Sequence, residues 1–122
     1  MHEASLAGGV LKLVEDAARR EGFVRVRSLR LEVGRFAGVE VRALRFALKA
    51  IAAGTCLEAM QLEIDEPPGR AWCLGCGQAV IIEQRGDACP RCSSPRLQAT
   101  GGTELRVIEM MVDDDEGERA CA

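Results

Sequence analysis

Cys73-Leu74-Gly75-Cys76 and Cys89-Pro90-Arg91-Cys92, separated by twelve residues, are the stretch on which the reading of this chain turns. Two residues between thiols let adjacent backbone amides point at the sulfurs while both sulfurs reach one ion. Gly75 and Gly77 permit the first tight turn, and Pro90 fixes the second. Two such turns at the tips of short hairpins build a sulfur tetrahedron with Zn–S bonds of roughly 2.3 Å. The gap is long enough for a hairpin through Ala79-Val80-Ile81-Ile82. Four sulfurs close the coordination sphere, so the expected Zn(II) is structural, with Cys73, Cys76, Cys89 and Cys92 as ligands. Iron in a rubredoxin-like site fits less well with an aromatic content of 3%. A thioredoxin-type redox pair would need one cysteine pair at the start of a helix.

Composition changes mark the edges of this module at Pro67-Pro68-Gly69 and at Gly101-Gly102. Upstream, Leu6, Val10, Leu13, Val14 and Ala17 recur at helical spacing up to about Arg20, and Gly22 stands where a helix would end. Val24 to Val33 reads as a strand with Leu29, Leu31 and Val33 on one face. Val24 and Val26 are out of phase with that face, so the strand starts late or carries a bulge near Ser28. A second helix is expected from Glu40 to Ala53, with Val41, Leu44, Ala47, Leu48 and Ile51 facing inward. Met60, Leu62 and Ile64 alternate with polar residues as a further strand. Strand, helix, strand implies a crossover with the two strands parallel. Leu105 to Val112 reads as a last strand returning to the same sheet.

The expected fold is therefore α+β. A small three-stranded mixed sheet with two helices occupies residues 1–67 with 101–112, a zinc ribbon is inserted at 68–100, and a disordered acidic tail covers 113–122. A module of about 30 residues cannot build a sufficient core alone, which is where a structural metal contributes most.

The net charge of −3 argues against a binder of phosphate backbones, so no nucleic acid is expected. The start Met1-His2-Glu3 is not that of a signal peptide, and no apolar run approaches a membrane span. The expected location is the cytoplasm, with no membrane partner, where paired cysteines favour metal over disulfides. Cys56 reads as a core thiol after a helix, and Cys121 as a free thiol in the tail. No nucleophile–base pair is visible and the zinc is saturated, so the protein is not expected to be an enzyme.

The only histidine is His2. The Met1 amine, the His2 amide and the imidazole can close fused chelate rings suited to Ni(II) or Cu(II). Read from the residue alone, His2 is more simply an ordinary exposed terminus. Met1-His2-Glu3 opens a helix, Leu31-Glu32-Val33-Gly34 ends a strand, and Gly38-Val39-Glu40 opens a second helix. With the cysteine quartet and Gly102-Thr103-Glu104-Leu105, these features resemble the HypA/HybF family of nickel-insertion proteins for [NiFe] hydrogenase maturation.

The resemblance implies a nickel metallochaperone with His2 as principal Ni(II) ligand and Glu3 adjacent. Glu40 falls where the family often has an acidic residue, although it reads equally as a carboxylate complementing a helix start. It also implies two partners, a nickel-handling GTPase of the HypB type and the large subunit of [NiFe] hydrogenase. The chain departs from many members in carrying Gly77 and Ser93 where they have histidine after a cysteine pair. A pH switch based on those histidines has no groups to titrate here. The competing reading is a zinc-ribbon module that regulates by binding nucleic acid or protein.

Overall fold

A computed structural model describes residues 2–113. The elements are α1 (Glu3–Glu21), β1 (Arg25–Val33), α2 (Val41–Ala52), β2 (Gln61–Asp65), β3 (Gly69–Cys73), β4 (Ala79–Ile82), β5 (Leu97–Gly101) and β6 (Leu105–Asp113). They form two three-stranded sheets, ordered β2-β1-β6 and β4-β3-β5. The fold is α+β, as expected, but β3 and β5 lie in stretches where the sequence suggests no strand. The tail assigned to 113–122 falls outside the described residues except Asp113, which closes β6.

Two compact units divide the chain. The first comprises residues up to Leu31, Val39–Ile64 and those from Val107. Here α1 packs against α2. Its buried face is Ala7, Val10, Val14, Ala17 and Ala18, whereas Leu13 is half exposed at 51%. The inward stripe thus runs through small alanines that allow close helix approach. Gly22 ends α1 in the left-handed conformation (φ 84°) and donates its amide to Ala18 O. On α2 the inward residues are Leu44, Leu48 and Ala52. Ile51, expected inside, is exposed.

In β1, Val26 and Leu29 are both buried although three residues apart. An uninterrupted strand buries every second residue, so the phase breaks between them, near the Ser28 position flagged by the sequence. Contacts from Val26 N to Cys56 O and from Arg30 to Glu63 advance together along both chains, the parallel sense that the α2 crossover requires. The bonds Val24 N to Asp113 O and Gly34 N to Glu104 O run in opposite senses, so β6 is antiparallel to β1. Cys56 is buried and disulfide-bonded, which corrects the expectation of a core thiol. Cys121 lies outside the described residues.

The second unit comprises Glu32–Gly38 and Asp65–Arg106. Its core is Phe36, Ala71, Cys73, Val80, Ile82 and Cys89, with Leu97 packed against it. Phe36 thus serves the ribbon core, although it lies far from the cysteines in sequence. Arg85 covers it, with the guanidinium carbon 4.8 Å from the ring centroid and a bond of 3.3 Å to the Phe36 carbonyl. Gly69 is required beneath this ring, because a Cβ there would collide with Phe36 Cζ. No described helix is long and apolar enough to cross a membrane.

Candidate metal centres

The four paired cysteines converge. All four sulfurs lie within 4.8 Å of one another. Cys73 Sγ and Cys92 Sγ are 3.6 Å apart, and Cys76 Sγ and Cys89 Sγ 3.9 Å. A tetrahedron with bonds of about 2.3 Å has sulfur–sulfur edges of roughly 3.8 Å, so the quartet fits a zinc ion.

Local backbone bonding makes the two halves near copies. Gly77 N donates to Cys73 O and Ser93 N to Cys89 O, each at 2.8 Å. Cys73 N donates to Gln78 O and Cys89 N to Ser94 O, each at 2.9 Å. The residue after each pair is left-handed, Gly77 at φ 67° and Ser93 at φ 64°. Amides also reach the sulfurs: Cys76 N donates to Cys73 Sγ and Arg91 N to Cys89 Sγ, each at 3.3 Å. Such bonds favour thiolate over thiol.

Cys73 and Cys89 are buried, whereas Cys76 and Cys92 reach the surface. As a thiol, Cys73 is drawn down to about 6, first by the Cys76 amide aimed at its sulfur. Cys76 is pushed up to about 12, first by desolvation and then by its bond with Cys73. Cys73 is thus the more readily ionised of the two, and Cys76 the one that holds its proton more tightly until metal binds. Zinc capture releases protons and weakens as pH falls.

At the amino terminus the arrangement is looser. His2 is the exposed N-cap of α1 and makes no side-chain capping bond. Glu3 is buried, at 6% exposure. Its Oε2 accepts the Glu40 amide at 2.8 Å, and Glu40 Oε1 in turn accepts the Ala43 amide at 2.9 Å, capping α2. A chain of carboxylates thus ties the start of α1 to the start of α2. Among the described residues, only the cysteine quartet gathers three or more potential metal ligands; the side chains of His2, Glu3 and Glu40 form no such cluster.

The family of hydrogenase/urease nickel incorporation metallochaperones, hypA, matches residues 1–112. The chain belongs to this family. "Hydrogenase maturation factor HypA" of Polaromonas naphthalenivorans (strain CJ2) is 65% identical over 115 residues, covering 94% of this chain and 100% of the relative. The protein of the same name from Cupriavidus necator is 64% identical, covering 93% of this chain and 96% of its own. A solution structure titled as the Ni metallochaperone HypA from Helicobacter pylori shares the fold, with a TM-score of 0.66 at 17% identity. It is covered in full and spans 94% of this chain. As a HypA-family protein, the chain is a metallochaperone for nickel incorporation in hydrogenase maturation, acting within the maturation machinery.

Glu3→Ala is expected to lower the melting temperature of this HypA-family chain, because the Glu40 amide loses its acceptor in a part-buried setting. His2→Ala should leave that temperature unchanged. Thermal unfolding of the two zinc-loaded variants beside the parent checks both.

Proposed function

We propose that the chain binds Ni(II) transiently at its amino terminus and delivers it to the large subunit of [NiFe] hydrogenase in the cytoplasm, working with a GTPase of the HypB type. In this reading residues 1–67 with 101–112 handle nickel. The ribbon at 68–100 holds one structural Zn(II) through Cys73, Cys76, Cys89 and Cys92. Its role is delivery, not catalysis.

The observation that carries the nickel assignment is the state of His2. It is the chain's only imidazole, exposed and without a capping bond, on a helix start anchored by the next residue. An uncommitted imidazole on a fixed backbone suits Ni(II), which takes nitrogen donors in planar or octahedral sets. Of the two carboxylates, Glu40 is the better further ligand because it is exposed and uses one oxygen for its cap. Glu3 is buried with one oxygen committed to the Glu40 amide, so its larger contribution is to hold the terminus in place.

The test is a calorimetric Ni(II) titration of untagged, zinc-loaded protein. The parent should bind one equivalent and His2→Ala should not. Equal affinity in the two proteins would overturn the assignment.

A further inference from the structure

The ribbon sheet has one face that the zinc core does not use. Along β3 and β4 the residues Ala71, Cys73, Val80 and Ile82 point inward. Their neighbours Arg70, Trp72, Ala79 and Ile81 are exposed on the other face. Antiparallel pairing sets Arg70 opposite Ile81, and Trp72 opposite both Ala79 and Gln98. Ile81 is 60% exposed and Trp72 43%. An open groove of about 790 Å³ runs here, lined by Arg70, Ile81, Pro90 and Arg91 among others.

The charge of this region is opposite to that of the chain. Between residues 68 and 99 stand Arg70, Arg85, Arg91 and Arg96 against Glu83 and Asp87, a formal +2. With −3 overall, the remaining residues carry −5. The groove lining itself holds Arg70 and Arg91 and no carboxylate, and a partly apolar face of that charge selects for acidic segments. A long phosphate backbone would meet repulsion from the rest of the chain and find one aromatic platform, where single-strand binders stack several bases.

We propose that the solvent face of the ribbon sheet, centred on Ile81 and Trp72 and flanked by Arg70 and Arg91, docks an acidic peptide segment of a protein partner that carries an apolar side chain among its carboxylates. The carboxylates meet the two guanidinium groups, and the apolar side chain covers Ile81 and the indole. Pro90 and Arg91 belong to the second cysteine turn, so the zinc ion holds one wall of the groove in shape. The proposal goes beyond the amino-terminal nickel site and does not depend on it.

Trp72 is the only tryptophan, so intrinsic fluorescence reads this face directly. The probe is a synthetic octapeptide of Asp and Glu with one central Leu, titrated into the full-length zinc-loaded protein at low and high salt. A saturable change in Trp72 emission is expected, weaker at high salt. Arg91→Glu should weaken it about tenfold or more, as charge reversal across such a contact does. Ile81→Ser should weaken it at both salt concentrations. One zinc per chain in each variant shows that the ribbon is intact, and unchanged Ni(II) binding separates this surface from the terminus. The proposal is overturned by no saturable change in the parent, by unaltered binding in Arg91→Glu, or by tighter binding of an oligothymidylate than of the peptide.

Discussion

Cys89→Ser is expected to abolish stoichiometric zinc binding and to unfold the ribbon, while α1 and α2 remain helical. Cys89 is 2% exposed, sits in the ribbon core, and its sulfur accepts the Arg91 amide. Serine keeps the volume roughly but provides a poor ligand for zinc, leaving three sulfurs and an incomplete tetrahedron. The apolar core around it is Phe36, Ala71, Val80, Ile82 and Leu97, too small to hold a three-stranded sheet by burial alone. Structural zinc in small modules supplies about 10–16 kcal/mol of apparent binding free energy, and that binding energy is folding energy. Elemental analysis should fall from one zinc per chain to near none. Amide exchange should become fast across Gly69–Cys73, Ala79–Ile82 and Leu97–Gly101 but stay slow in the middle of α1. A variant that kept slow exchange in β3 with no metal would show that the ribbon folds on its apolar core, and the structural assignment of zinc would fail.

The cysteine spacing made the metal centre legible, because two short turns with fixed ligand separation leave little geometric freedom. Helical and alternating periodicity likewise exposed α1, β1, α2, β2 and β6. Finer facing was less legible. Leu13 and Ile51 satisfy the hydrophobic pattern yet are exposed, while Ala18 and Ala52 are buried. Helix packing at alanines is decided by how closely backbones approach, which a hydrophobicity pattern does not encode. Phe36 was also hidden: it lies in a glycine-bounded turn, and only tertiary contact reveals that it fills the ribbon core. Strands β3 and β5 escaped because Gly69-Arg70-Ala71-Trp72 and Leu97-Gln98-Ala99-Thr100 carry little β-branched character. Pairing with β4, whose Val80-Ile81-Ile82 is a strong strand signal, brings β3 into the sheet, and β5 completes it. At the amino terminus the sequence pointed to His2, Glu3 and Glu40, but not to the division of labour between the last two. Burial of Glu3 and its bond to the Glu40 amide depend on α1 and α2 meeting at their starts.

Adding residues before Met1 is expected to weaken Ni(II) binding about 100-fold or more, even with His2 intact. Disturbing the outer partners of a metal ligand already costs roughly 10–100-fold, and an extension acts on the ligands themselves. It converts the terminal amine into an ordinary amide, so the fused five- and six-membered chelate rings through the His2 nitrogens can no longer close in the same way. A carboxy-terminal extension changes neither donor and should bind as the parent does. His2→Ala removes the imidazole and should eliminate binding altogether. None of these changes should alter zinc content, because among the described residues the metal-ligand cluster consists of the four cysteines alone. Stability should also hold, since His2 is exposed and makes no capping bond. The comparison is calorimetric and avoids histidine tags, which would bring their own imidazoles. Equal affinity in the parent and the amino-extended form would make the amine dispensable. Nickel would then rest on the His2 imidazole with side-chain oxygens, and Glu40→Ala, which also removes the cap on Ala43, would become the variant that loses it.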